Sequence, residues 1–341
     1  MRTTRNGSRR PLLGWGLAAL CAAAPAPAND PAKTTGPEAC GECHKSEVES
    51  WRQTHHFKTF ADMPRSDKAR QIADAMGIKR IKSESVCLTC HFTQVLKDGN
   101  PEPLVGISCE SCHGAAQDWI KIHNDYGQGT DKEKAKAAEP PEHRKERIAQ
   151  SSAHGMIRPE RIHDVAANCL SCHTVPNEKL VNVGGHPAGS DFELVSWLEG
   201  EVRHNFAHGQ NGSNPEASPE RRRVLYVVGR ALDLEYGLRG MAKITENNAY
   251  AKAMAARFKA ARNNLRAIQE KAKLPEVEAM LAVADAVTKI IGNEEGLTAD
   301  AGKVGAAAKQ FAEGNDGSGL AAIDPLIPGP DKYRGTPLGA K

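Results

Sequence analysis

Four times between residues 40 and 173 the chain repeats two cysteines separated by two residues and followed at once by histidine. The copies are Cys40-Gly-Glu-Cys43-His44, Cys87-Leu-Thr-Cys90-His91, Cys109-Glu-Ser-Cys112-His113 and Cys169-Leu-Ser-Cys172-His173. This spacing is the attachment signature of c-type haem: two thiols add to the vinyl groups, and the adjacent imidazole lies under the ring to bind iron. Four copies predict four covalently attached haem c groups. A single C-x-x-C also suits a zinc ribbon, a redox dithiol or a disulfide. Zinc held by two such pairs needs no histidine after each, and a redox dithiol has no reason to recur four times in one exported chain.

The ninth cysteine, Cys21, falls in a segment that reads as a secretory signal. Residues 1–28 combine a basic start (Arg2, Arg5, Arg9, Arg10), an apolar run from Leu12 to Ala24 and the small triplet Ala26-Pro27-Ala28. That run is too short to span a bilayer core of about 30 Å. Ser8-Arg9-Arg10 before Leu12 and Leu13 also resembles a twin-arginine signal. Leu20 stands where a lipoprotein site needs a small residue, so Cys21 is expected to leave with the signal and the mature protein to be periplasmic. Its departure leaves eight cysteines, all within the four motifs. The 45 basic residues lose four arginines, leaving 41 against 42 acidic residues. That balance gives no reason to expect nucleic acid or an anionic membrane as partner.

Nine further histidines compete for at most four sixth-ligand positions. The stretch from Lys45 to Phe57 reads as one helix with Val48, Trp51 and His55 on a face. Twelve helical residues span about 18 Å, whereas two axial nitrogens on one iron lie about 4 Å apart. His56 is therefore expected to serve a haem other than that of His44. The same geometry separates His123 from His113. Ligands crossing between haems would lock the cluster together.

The run Cys40-Gly-Glu-Cys43-His44 leading to Trp51 and Thr54-His55-His56, and the run Gly106-Ile-Ser-Cys109-Glu-Ser-Cys112-His113-Gly114 leading to His123, resemble the tetrahaem cytochrome c-554 family over roughly residues 36–210. The resemblance implies that His56 caps the haem of His113, that His123 caps the haem of His173, and that His204 caps the haem of His44. It also implies that the haem of His91 is open to a small molecule. His186, in Gly184-Gly185-His186-Pro187, competes for that position, with His154, His163 and Met156 behind it.

Residues 127–150 are rich in Gly, Lys, Glu and Pro and read as a solvated linker. Ser218-Pro219-Glu220 reads as a helix start, followed by an apolar stripe through Val224, Val228, Ala231, Leu234, Leu238 and Met241. Further helices are expected from about Asn248 to Lys271, from Pro275 to before Gly292, and from Asp300 to Ala312. The expected fold is mainly α: a multihaem c-type cytochrome core with little sheet at 29–212, a helical bundle at 213–312 that covers the haems or docks a partner, and an extended Gly- and Pro-rich tail at 313–341.

Electron transfer between redox proteins is the leading expectation, because iron with two histidine ligands has no vacant site. The competing expectation is an enzyme that reduces a small nitrogen oxide at the His91 haem. Two propionates per haem make the holoprotein acidic, so redox partners with electropositive docking surfaces are expected. The lean 5% of aromatic residues further suggests that porphyrin fills part of the interior, which would make folding depend on haem.

Overall fold

A computed structural model describes residues 30–83, 85–127, 129, 131–207 and 212–339. The segment read as a signal, with Cys21, lies outside the described residues, as does His208. The fold is mainly α with one two-stranded sheet, and no described helix is long and apolar enough to cross a membrane.

The first half is built from short helices. Helix α1 (Pro37–Gly41) opens on proline and carries the first cysteine. Helix α2 (Lys45–Gln53) does not run on to Phe57 as its pattern predicts. Thr54 takes extended backbone, and its hydroxyl accepts from Phe57 N to start α3 (His55–Asp62). A threonine hydroxyl offers the chain an N-cap in place of helix continuation, so His56 is turned off the axis of α2.

Ser66 caps α4 (Asp67–Met76), which ends on left-handed Gly77. Helix α5 (Ser85–His91) is the second motif. Strands β1 (Thr93–Lys97) and β2 (Asn100–Val105) then pair antiparallel with Val95 opposite Glu102. Their two-residue turn, Asp98-Gly99, has positive φ at both positions (50° and 79°), as a tight hairpin turn demands. Helix α6 (Cys109–His113) is the third motif. Its buried Glu110 accepts from Thr35 N, Gly36 N and Ala116 N at 2.8–2.9 Å, which fastens the third motif to the chain entering the first.

The expected linker is helical. Asp131 caps α7 (Lys132–Ala137), and Pro141 opens α8 (Pro141–Ala153). What holds them is polar: the Glu139 carboxylate accepts from Arg147 Nε and Nη2 at 2.7 and 2.6 Å. The guanidinium also stacks on Tyr126 at 4.6 Å. Helices fixed by ion pairs leave little apolar periodicity to read. Helix α9 (Ile162–His173) ends in the fourth motif. The short α10 (Glu178–Asn182) and α11 (Leu194–Leu198) follow.

The Ser218 hydroxyl accepts from Arg221 N and starts α12 (Pro219–Ala242). It is packed by α13 (Ala249–Ala272) and by α15 (Glu294–Gly314), while α14 (Pro275–Ala286) bridges those two. Val227, Val228, Ala231, Leu232, Leu234, Leu238 and Met241 of α12 are fully buried. A helix with so wide an apolar face belongs against the centre of a core. The Tyr250 hydroxyl donates to Gly240 O at 2.9 Å where α12 and α13 meet.

The apolar core of this bundle crosses residue 212, taking in Ile162, Ala166 and Leu170 of α9 and reaching Ile323. Residues expected to form an extended tail instead turn back onto the bundle. The 3-10 segment Ser318–Leu326 buries Leu320 and Ile323, and Arg223 forks onto Asp324 at 2.7 and 2.8 Å. Two apolar anchors and one ion pair outweigh the composition that suggested a loose end.

Candidate metal centres

Three motifs lie on helices, α5, α6 and α9, where two cysteines three residues apart share one face. In the first motif α1 ends at Gly41, so Cys43 and His44 follow in the turn before α2. None of the eight cysteines is in a disulfide. Helix α1 packs against α6, and Asn168 Nδ2 of α9 donates to Cys112 O at 3.0 Å. The first motif therefore adjoins the third, and the third adjoins the fourth.

Each motif histidine faces one other histidine. Ring centroids lie 6.4 Å apart for His44 and His123, 6.2 Å for His91 and His186, 6.2 Å for His113 and His204, and 6.2 Å for His173 and His56. Two imidazoles on opposite sides of one iron, with bonds of about 2 Å and ring nitrogens about 1.1 Å from their centroids, would stand about 6.2 Å apart. All four pairs fit that span.

The pairing differs from the one the family resemblance implied. His56 faces His173 and not His113; His123 faces His44 and not His173; His204 faces His113 and not His44. Because the first and third motifs adjoin, the turn from His113 reaches His123 across to the neighbouring His44. The break at Thr54 likewise aims His56 toward the fourth motif. His186 stands opposite His91, where the resemblance implied an open position.

In five of these eight histidines Nδ1 is hydrogen-bonded, which leaves Nε2 as the nitrogen available to a metal. Nδ1 lies 2.8 Å from Ile157 O in His113, 2.6 Å from Ile120 O in His123, 2.8 Å from Pro187 O in His186 and 2.6 Å from Val202 O in His204. In each the N–H donates to the carbonyl, which fixes the tautomer and raises the basicity of a ligand. His173 uses a side chain, the hydroxyl of Ser190 at 2.9 Å, and His44 Nδ1 lies 3.9 Å from the Glu47 carboxylate. Burial, with neighbouring histidines adding to it, pushes His91 and His173 down to about 4. Burial also lowers His56, His113 and His123. Neutral imidazole is the form that binds a metal. His44 is raised instead, by the Glu47 carboxylate.

Two indoles add to the fit. Trp119 packs edge-on against His123 at 5.2 Å, and Trp197 lies 6.0 Å from His173. Among the described residues the Nε1 of each is buried without a partner. A prosthetic group with carboxylates on its rim would supply acceptors at both places, and buried donors need one.

The remaining histidines are placed otherwise. His55 bonds Glu201 at 2.6 Å, His143 bonds Glu139 at 2.8 Å, and His163 lies against Asp164 at 3.1 Å. His154 is exposed where α8 ends, and Met156 Sδ lies 3.9 Å from Arg158 Nη1. Among the described residues no three His, Cys, Asp or Glu side chains gather into a single ion site, so the donors come as four separate two-imidazole sets. Ser190 carries no sequence signal that could have placed it beside His173.

Residues 39–114 match the family model described as cytochrome c554 and c-prime. A 105-residue stretch is 31% identical to cytochrome c-554 of Nitrosomonas europaea, covering 28% of this chain and 45% of that protein. The chain thus spans less than half the length of this relative. No solved structure matches.

Proposed function

We propose that this chain is a cytochrome of the c554 type that moves electrons, that it binds four covalently attached haems and that each has two histidine ligands. The pairs are His44 with His123, His91 with His186, His113 with His204 and His173 with His56. Cys40 and Cys43, Cys87 and Cys90, Cys109 and Cys112, and Cys169 and Cys172 hold them. The observation that supports this reading is the recurrence of one spacing, 6.2–6.4 Å, at all four motif histidines.

Bound there, the haems supply reversible one-electron chemistry. The chain's own residues orient the imidazoles, and two imidazoles at each haem would leave no position on the metal for a small molecule. The function is therefore relay between redox proteins in the periplasm, on a chain exported by its N-terminal segment. Reduction of a small nitrogen oxide is disfavoured by the ring of His186 opposite His91.

Mass spectrometry and near-infrared magnetic circular dichroism of the oxidised holoprotein test the proposal together. The expected result is four haem adducts, all low-spin with two imidazole ligands. A high-spin component from one haem would return the His91 centre to the enzyme reading.

A further inference from the structure

We propose that Arg257, in the helical bundle, is a positioning residue for the sixth ligand of the His91 haem, acting through the loop from His186 to Ser190. The inference rests on the two-imidazole reading of that centre.

His186 is tied at its near end to α10, where Gly185 N donates to Val181 O at 3.1 Å and His186 N to Leu180 O at 3.2 Å. Gly184 and Gly185 precede it, Pro187 follows, and its own Nδ1 bonds only the neighbouring Pro187 O. By contrast His56 lies within α3, and the carbonyl of His123 accepts from buried Arg147 at 2.7 Å. The far end of the His186 loop is gripped twice. Ser190 N donates to His173 O at 3.0 Å, and His173 Nδ1 meets the Ser190 hydroxyl. From the bundle side Arg257 Nη2 donates to Ser190 O at 2.7 Å.

Arg257 is itself immobilised. Its Nη1 donates to Asp233 Oδ1 at 2.5 Å, and both side chains are almost wholly buried between α12 and α13. Arg230 also lies 3.8 Å from Asp233, so Asp233 keeps a cationic neighbour if Arg257 is shortened. Gly189 completes the clamp. At φ 86° a Cβ there would stand 2.8 Å from Arg257 Nη2 and 2.9 Å from His173 O, so the loop passes where only glycine fits. One five-residue loop thus carries the ligand opposite His91 and the hydroxyl that orients His173, with a buried ion pair of the bundle behind it.

The test adds carbon monoxide to the reduced holoprotein and follows the Soret band. The parent should not respond, and His186→Ala should respond with about one haem in four. Arg257→Met should respond in part, with its far-UV circular dichroism and haem content unchanged, and Arg257→Lys should suppress that response. Gly189→Ala, whose added Cβ would press on Arg257 Nη2 and on His173 O, should respond as well, and it decides the matter if Arg257→Met does not fold. The inference is overturned if both loop variants stay silent while His186→Ala responds. A response from the parent would instead overturn the ligation of His91 by His186, and the inference with it.

Discussion

The imidazoles of His56 and His173 face each other with centroids 6.2 Å apart, one from the first turn of α3 and the other from the last residue of α9. Far apart in sequence, these two ends meet only in the tertiary fold. A short segment after the first motif therefore serves the last.

This pairing can be read directly. In the reduced, diamagnetic holoprotein, nuclear Overhauser contacts from the His56 ring protons should lead to the haem whose thioether bridges come from Cys169 and Cys172. Contacts to the haem bridged by Cys109 and Cys112 would restore the pairing that the family resemblance implied.

The motif cysteines and histidines were legible because covalent attachment fixes their spacing, and the long helices because α12 and α13 carry caps, α14 opens on Pro275 and all three carry apolar stripes. Which histidine faces which was not legible. It depends on the relative placement of four motifs, a tertiary fact that local periodicity does not encode. The break at Thr54 is a local choice between two acceptable structures, and sequence alone favoured neither. Helices α7 and α8 escaped notice because Glu139, Arg147 and Tyr126 hold them with charge and stacking. The turn Asp98-Gly99 is a hairpin signal legible in the sequence itself.

The Glu139–Arg147 pair gives a pH dependence. The Arg147 guanidinium, helped by His143, holds the Glu139 carboxyl down to about 2. A carboxyl depressed in the folded state stabilises the fold above its ordinary value of about 4.3, and that contribution is lost as pH falls toward about 2. Arg147→Met removes the partner and leaves a buried carboxylate, so at neutral pH it should destabilise the protein by about 3 kcal/mol. Denaturant unfolding of both proteins should show that difference shrinking between about pH 4.3 and about pH 2. A difference that stays constant across this window would mean that the two groups do not stabilise each other in the folded state.

Dependence of folding on haem should divide along the chain. In α1 to α6 and the turn after them, the buried apolar side chains are few: Val48, Ala73, Leu88, Phe92, Ala116 and Trp119 stand out, and the paired histidines would contact metal rather than one another. Without haem that half loses the groups its rings and orphaned indoles are arranged around. From α12 onward the core is continuous protein, with Leu232, Leu234, Leu238, Met254, Leu265, Ile268, Val304 and Phe311 fully buried and no motif cysteine among them. Cooperative units with their own apolar core keep their amides protected when neighbouring units open. Full-length protein made without haem attachment should therefore retain slow hydrogen exchange in α12, α13 and α15, while α2, α3 and α5 exchange at close to unfolded rates. Fast exchange throughout would mean that the bundle needs the haem half, through the α9 face it packs on. Protection throughout would mean that the haem-free chain already folds on its own.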